Sequence, residues 1–193
     1  LALDYLFYNL GDSAHRRQVT GIVKILADRW SYGSRPRLYV VDLRPWVDQL
    51  RERTDPKLWQ VLLKRLMLLG ANRLLRHGEN TALVTGESLG QVSSQTLANL
   101  TVIEQVSEAP VLRPLIGFDK LEIVEVAQRI GTFELSAQVK EYCALQGKGP
   151  SAAADVTRLV ENETSLDLDD FVASFDNLRY LDLRQEDAAA DEL

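Results

Sequence analysis

The sequence predicts an α/β fold: a doubly wound, mainly parallel sheet with helices on both faces. Three observations predict it. Short apolar runs alternate with helical stretches from Leu3 to Gly131, which implies right-handed βαβ units. The run LYVVDL (38–43) is apolar almost throughout, as strands covered on both faces are. Between the runs, apolar residues recur at intervals of three and four, the mark of helices with one buried stripe.

Element by element, LDYLFY (3–8) reads as a strand that ends in the turn Asn9-Leu10-Gly11. Asp12 and Ser13 supply N-caps for a helix to about Trp30, whose stripe is Val19, Ile22, Val23, Leu26 and Trp30. After the break at 32–36, Leu38 to Leu43 forms the second strand. A short helix is predicted over Trp46–Arg53. A longer one opens at Asp55-Pro56, carries Leu58, Leu62, Leu66 and Leu69 on one face, and stops at Gly78. Thr81–Thr85 is the third strand, 92–107 a helix and Val111-Leu112 a short strand. Asp119 and Glu122 have the spacing of a reciprocal cap for a helix ending at Gly131. Beyond Ser136 the pattern fades into a loop, KEYCALQGKGP (140–150). Helices are expected at 151–163 and 168–176. The domain reading is therefore one body over 1–150, a helical extension over 151–184 and a disordered acidic tail over 185–193.

Composition narrows the function classes. At 193 residues the chain fits one large domain. No apolar run approaches the roughly 20 residues that span a bilayer. The single Cys, Cys143, cannot staple the fold internally and fits a reducing compartment. With two His beside it, a Cys/His zinc site is excluded. The net charge of −6 speaks at first against a polyanionic partner. Residues 161–193, however, hold 11 acidic and 2 basic side chains, and the other 160 residues hold 17 acidic and 20 basic. A mildly basic body thus precedes an acidic stretch. The opening Leu1-Ala2-Leu3-Asp4, with neither an initiator Met nor a signal-like start, reads as a chain entered partway through.

Ligands of open α/β sheets bind beyond the carboxyl ends of the strands, which ranks 9–17, 86–96 and 113–120 as candidates. In Gly86-Glu87-Ser88-Leu89-Gly90-Gln91-Val92-Ser93-Ser94-Gln95-Thr96, two Gly let backbone approach a ligand, and six uncharged side chains can hydrogen-bond. The competing reading is a helix start with Ser88 and Gln91 as a capping box. Arg113 and Lys120 put two cations near a strand end, able to hold phosphates or merely to face solvent. Asn9–Ser13 has one Gly and none of the Gly-rich pattern of a phosphate loop, so it is a turn with an N-cap. Cys143 lies in a loop outside any apolar stripe, with Lys140 and Lys148 nearby to favour the thiolate.

The stretches GESLGQVSSQTLANL (86–100), VLRPLIGFDKLEI (111–123) and KEYC (140–143), with LLKRLML (62–68) and ALVT (82–85), together resemble the tRNA 4-thiouridine sulfurtransferases, the ThiI family. The resemblance covers about 56–145 well and the remainder weakly. It implies the PP-loop ATP pyrophosphatase fold, in agreement with the doubly wound reading. It also implies an enzyme that adenylates O4 of a tRNA uridine with ATP, releasing pyrophosphate, after which persulfide sulfur on a cysteine displaces AMP. Lys64, Gly86 and Gln95 match positions that contact ATP. Phe7 and Tyr8 match, in a looser alignment, the strand-end pair beside adenine. Cys143 matches the sulfur carrier, while Arg113 and Lys120 lie in a family motif without an assigned role. Mg2+ is implied by ATP chemistry, its ligands unnamed. Implied partners are tRNA and a persulfide donor such as a cysteine desulfurase. A homodimer and a cytoplasmic location agree with the resemblance, as does a role in thiamine-thiazole sulfur supply.

The departures are specific. The family's Ser-Gly-Gly-x-Asp-Ser phosphate loop is not in these residues and is expected upstream of Leu1. The N-terminal RNA-binding portion and the rhodanese-like domain of some members are not in them either, nor is a second Cys to resolve a persulfide. Two alternatives stay open: a PP-loop enzyme whose adenylated substrate meets an amine, and a degenerate module without catalysis.

Overall fold

The computed structural model describes residues 3–139, 145 and 149–184. In chain order the elements are β1 (Tyr5–Asn9), α1 (Ser13–Trp30), β2 (Arg37–Asp42), α2 (Arg44–Arg53), α3 (Trp59–His77), β3 (Leu83–Val84), a 3₁₀ turn (Ser93–Gln95) and α4 (Leu97–Glu104). They continue with β4 (Val111–Leu112), α5 (Lys120–Ile130), α6 (Phe133–Ser136), α7 (Val156–Glu163), α8 (Leu168–Ala173) and β5 (Tyr180–Asp182). The architecture is α/β, with parallel strand pairs joined by helical crossovers, as the alternation predicts. Among the described residues no helix is long and apolar enough to cross a membrane. The elements form two compact units.

One unit runs to Leu43 and adds α5, α6 and β5. Here β1 pairs in parallel with β2, from Tyr5 opposite Leu38 to Asn9 opposite Asp42. Asp12 caps α1 by accepting the His15 N–H at 2.9 Å, so the turn-and-cap reading of 9–13 holds. The α1 stripe meets the sheet through Val23 and Ala27, which pack with Leu38, Leu181 and Leu183. Gly131 ends α5 with φ +83, and its N–H donates to the Ala127 carbonyl at 3.1 Å.

Two elements of this unit are absent from the sequence reading. Strand β5 pairs antiparallel with β2, Leu38 lying opposite Leu181. Its signal is three residues long. Leu181 and Leu183 are apolar because they complete the core under β2, and Asp182 is fixed by Arg35 at 3.0 Å. The single turn α6 follows Thr132 within the stretch where periodicity fades.

The second unit comprises Arg44–Asp119 and the segment that ends at Asn177. Helix α3 is its axis, packing against α2, α4 and α8. Its glycine, Gly70, is required: a Cβ there would overlap the Phe175 ring. Phe175 in turn stacks edge-on with Phe171 at 5.2 Å, and Phe171 with Trp46 at 5.1 Å. Strands β3 and β4 pair in parallel, Leu83 opposite Val111 and Val84 opposite Leu112.

Three boundaries differ from expectation for local reasons. Helix α3 begins at Trp59, because the Asp55 carboxylate accepts the Lys57 N–H and its carbonyl accepts the Leu58 N–H, closing a turn first. The 92–107 helix is split: Thr96 is extended and caps α4, its Oγ1 accepting the Asn99 N–H at 3.2 Å. Fully buried Asn99 donates to the carbonyls of Ser93 and Ser151 and accepts the Ala154 N–H. It thereby ties α4 to the segment leading into α7. The expected helix over 151–163 likewise starts only at Val156, after the Asp155 cap.

A charge is also buried here. Arg65 on α3 is 4% exposed and donates to Glu163 of α7 through Nε and Nη2, the latter at 2.9 Å, and to the Val102 carbonyl of α4. Removing one member of a buried pair strands the other. Glu163→Ala is therefore expected to lower unfolding free energy by about 3–5 kcal/mol. Urea denaturation of the variant beside the wild type checks this.

Candidate functional site

The site is built in the second unit, where three elements converge on one carboxylate. Strand β3 ends at Val84 and delivers Thr85, Gly86 and Glu87. Helix α3 presents Lys64, and β4 ends immediately before Arg113. Glu87 is 8% exposed. Its Oε1 accepts from Lys64 Nζ at 2.7 Å, and its Oε2 accepts from Arg113 Nε at 2.8 Å and Thr85 Oγ1 at 3.1 Å. Arg113 Nη1 reaches on to Glu104 of α4 at 2.6 Å. The four charges sum to zero.

Electrostatics follow from this geometry. Burial alone would push the Glu87 carboxyl up. The hydrogen bonds from Lys64 and Arg113 outweigh it and hold the group below the usual carboxylate range. Arg113 feels the converse. Burial disfavours its cation, but Glu87 and Glu104 hold its proton on more tightly than usual.

The loop after β3 is held open by backbone anchors. Ser88 Oγ donates to the Phe118 carbonyl at 2.5 Å, and the Leu89 N–H to the Ile116 carbonyl at 3.1 Å. Gly90 takes φ +74 and donates to the Gln95 carbonyl at 3.1 Å. Ser93 Oγ bonds Gln60 Oε1 of α3 at 3.2 Å. Ser88 is therefore a loop anchor and no capping box forms with Gln91; the cap of the following helix is Thr96. That reading of the stretch is corrected.

Two features of the loop have no explanation within the described residues. Gly86 lacks a positive φ, and a Cβ built on it meets no atom within 4 Å. Neither backbone nor neighbours demand glycine there, which leaves open space against bare main chain. Gln95 Oε1 is buried without a hydrogen-bond partner, a costly condition unless something else supplies a donor. An open backbone, an unpaired acceptor and a fixed ammonium (Lys64, side chain 23% exposed) suit a ligand that offers both anionic and donor groups. A purine nucleotide triphosphate offers both. Among the described residues no group of three or more His, Cys, Asp or Glu could hold a metal ion.

Of the sequence-derived candidates, Lys64, Gly86 and Arg113 are thus brought together around Glu87, and Gln95 shares their loop. Arg113 differs from expectation, because Glu87 and Glu104 take its Nε and Nη1, leaving Nη2 buried without a partner among the described residues. Phe7, Tyr8 and Lys120 belong to the other unit. Phe7 and Tyr8 are half-buried on β1, and the Phe7 ring stands edge-on to His15 at 5.4 Å. His15 Nδ1 lies 3.1 Å from Asn9 Oδ1, which also accepts the Gly11 N–H. Since that oxygen only accepts, it fixes the proton on Nδ1. Lys120 is exposed at the start of α5. Cys143 lies outside the described residues. Sequence reading passed over Glu87 as a functional residue. The signal was present: one acid directly after a strand, flanked by uncharged residues, in a chain whose charged candidates were all cations.

Residues 2–168 match the family model described as thiamine biosynthesis protein (ThiI). A tRNA sulfurtransferase of Aeromonas hydrophila subsp. hydrophila is 41% identical over 192 residues, covering 97% of this chain and 39% of that protein. One from Colwellia psychrerythraea is 38% identical, with 97% and 39% covered. The chain therefore spans about two fifths of the length of these curated relatives. Among solved structures, a 4-thiouridine synthetase–RNA complex with bound ATP superposes with TM-score 0.80 at 31% identity, covering 93% of this chain and 47% of that one.

The depressed Glu87 pKa makes stability depend on pH. A carboxyl lowered on folding stabilises above the ordinary carboxylate range, and that contribution is lost as pH falls through its folded value. The Tm advantage of wild type over Glu87→Gln is expected to be greatest at neutral pH and to narrow in acid. Thermal unfolding of both proteins across that range measures it.

Proposed function

The chain belongs to the ThiI family, and from that premise we propose that it is the nucleotide-binding and sulfur-transfer part of an ATP-dependent tRNA uridine 4-sulfurtransferase. The observation that carries the reading is the Lys64–Glu87–Arg113 cluster beside the open main chain of Gly86 and the unpaired Gln95 Oε1. The printed names of the relatives and the ATP of the solved structure support it.

In this reading Gly86 and Gln95 line the ATP site, and Lys64 faces the phosphates. Phe7 and Tyr8, on β1 of the other unit, match by resemblance the strand-end pair beside adenine, and Lys120 of that unit is a cation at the head of α5. A purine amino group is the natural donor for Gln95 Oε1. Binding would hold the α-phosphorus for attack by uridine O4, with the Lys64 ammonium neutralising charge that builds as pyrophosphate leaves. Mg2+ would enter with ATP, whose phosphate oxygens supply ligands of the kind it prefers.

Adenylation turns a carbonyl oxygen, a poor leaving group, into AMP. A persulfide on Cys143 then attacks C4 through its terminal sulfur, and the C4–O bond breaks with release of AMP. The sulfur remains bonded to Cys143 at that stage. These 193 residues hold one Cys, so a thiol from another molecule or segment attacks the Cys143 sulfur. It forms a disulfide there and frees 4-thiouridine. The persulfide is supplied by a donor of the cysteine desulfurase class, and the reaction takes place in the cytoplasm, with the protein as a homodimer. The same carrier would serve thiazole synthesis, which the family description favours as a second reading.

Thiolation of tRNA by the complete protein with ATP, Mg2+ and a persulfide donor is expected to vanish in Cys143→Ser, while ATP-dependent pyrophosphate release persists. Retained thiolation would remove Cys143 as carrier. Gly86→Ala meets no protein atom, so its Tm is expected to match wild type while KM for ATP rises about tenfold or more, as loss of ground-state binding requires. Unchanged ATP kinetics would move the nucleotide away from Gly86.

A further inference from the structure

An acid in the middle of an anion-binding site is unexpected, since its charge repels phosphate. Glu87 nevertheless lies closer to Lys64 than any other acceptor the structure gives that ammonium, at 2.7 Å. Lysine is a point charge on a flexible four-carbon stem, with rotamer entropy to lose when fixed. One oxygen of Glu87 holds it. The other is itself immobilised by Arg113 Nε and Thr85 Oγ1, and Arg113 is braced by Glu104. The Arg113 side chain is 12% exposed. Its Nε and Nη1 are committed to carboxylates, and its Nη2 is buried without a partner among the described residues, so the guanidinium is better placed to hold Glu87 than to reach out to a phosphate.

We propose that Glu87 is a positioning residue for Lys64, and that Arg113 acts through Glu87 rather than on the phosphates. The ladder Lys64–Glu87–Arg113–Glu104 links α3, the β3 loop, the β4 loop and α4, so the ammonium is aimed by rigid elements before nucleotide arrives. Its role is to fix Lys64 before adenylation, the ordering that lowers a barrier when it is supplied in advance. The inference rests on the ATP reading given above, because Lys64 needs a phosphate to face.

The chemistry sets an asymmetric expectation. Replacing the carboxylate by an amide leaves Lys64 and Arg113 without their shared counter-charge. The site becomes more positive, so ground-state attraction for ATP persists while the ammonium loses its aim. In the complete protein, tRNA-dependent pyrophosphate release by Glu87→Gln should show kcat lowered about tenfold or more, with KM for ATP within about threefold of wild type. Glu87→Asp keeps the charge and should recover part of kcat. Lys64→Ala and the wild type run alongside, with Tm recorded for each.

Three results would overturn the proposal, and they are distinguishable. If Glu87→Gln keeps wild-type kcat while Lys64→Ala is inactive, Lys64 needs no positioning by Glu87, and the ATP reading stands. If Glu87→Gln and Glu87→Asp lose kcat equally and in step with Tm, the ladder is only a structural brace. If the wild type releases no pyrophosphate with tRNA, the ATP reading fails and the positioning role falls with it.

Discussion

A buried carboxylate must be met by cations, and Glu87 is where this constraint organises the site. Taken out of water with only dipoles around it, the group would protonate. Lys64 and Arg113 keep it charged, and each can do so only if its own element is held still. That requirement propagates outward. Arg113 must sit at the end of β4, so β3 and β4 must pair in register. Lys64 must face the loop, so α3 must have one rotation about its axis. The next residue, Arg65, fixes that rotation by pairing with Glu163 and the Val102 carbonyl. Adjacent helical side chains diverge by about 100°, so one cation enters the site while its neighbour locks the helix into the core.

Much of this was legible in the sequence because it is periodic or punctuated. The stripes of α1 and α3 and the Gly131 stop all have one-dimensional signatures, and the structure reproduces their elements within a few residues. Strand β5 had none. Its Leu181 and Leu183 are meaningful only beside Leu38, more than a hundred positions away. The break in the expected helix at 92–107 was not visible for a related reason: no Gly or Pro marks it in the sequence. The break is enforced by Asn99, whose amide captures the Ser93 and Ser151 carbonyls.

The site was legible in parts and not as an assembly. Lys64, Gly86 and Gln95 were reached through a resemblance, and composition favoured none of them over an ordinary helix start. What one dimension could not supply was partnership. Arg113, as a cation near a strand end, could be read in one dimension either as a phosphate holder or as a solvated surface charge. Only with Glu87 and Glu104 placed does it become a residue that serves another side chain. The same pairing shows how a neutral cluster in an overall acidic chain can leave one cation, Lys64, more exposed than the carboxylate it pairs with, Glu87.

Unsatisfied features are informative here because most of the surrounding polar groups are paired, Arg113 Nη2 being the other buried atom of this unit that has no partner among the described residues. Asn99 makes every bond its amide can accommodate in a fully buried setting, and each Glu87 oxygen is occupied. Against that standard, the bare space at Gly86 and the partnerless oxygen of Gln95 are not looseness in a poorly packed loop. The backbone between them is anchored at Ser88, Leu89, Gly90 and Ser93. A rigid frame around an unfilled acceptor costs folding free energy unless a ligand repays it. On the proposed reading, the loop after β3 is the frame an occupant would enter, and the ladder behind it would present Lys64 to that occupant in one position.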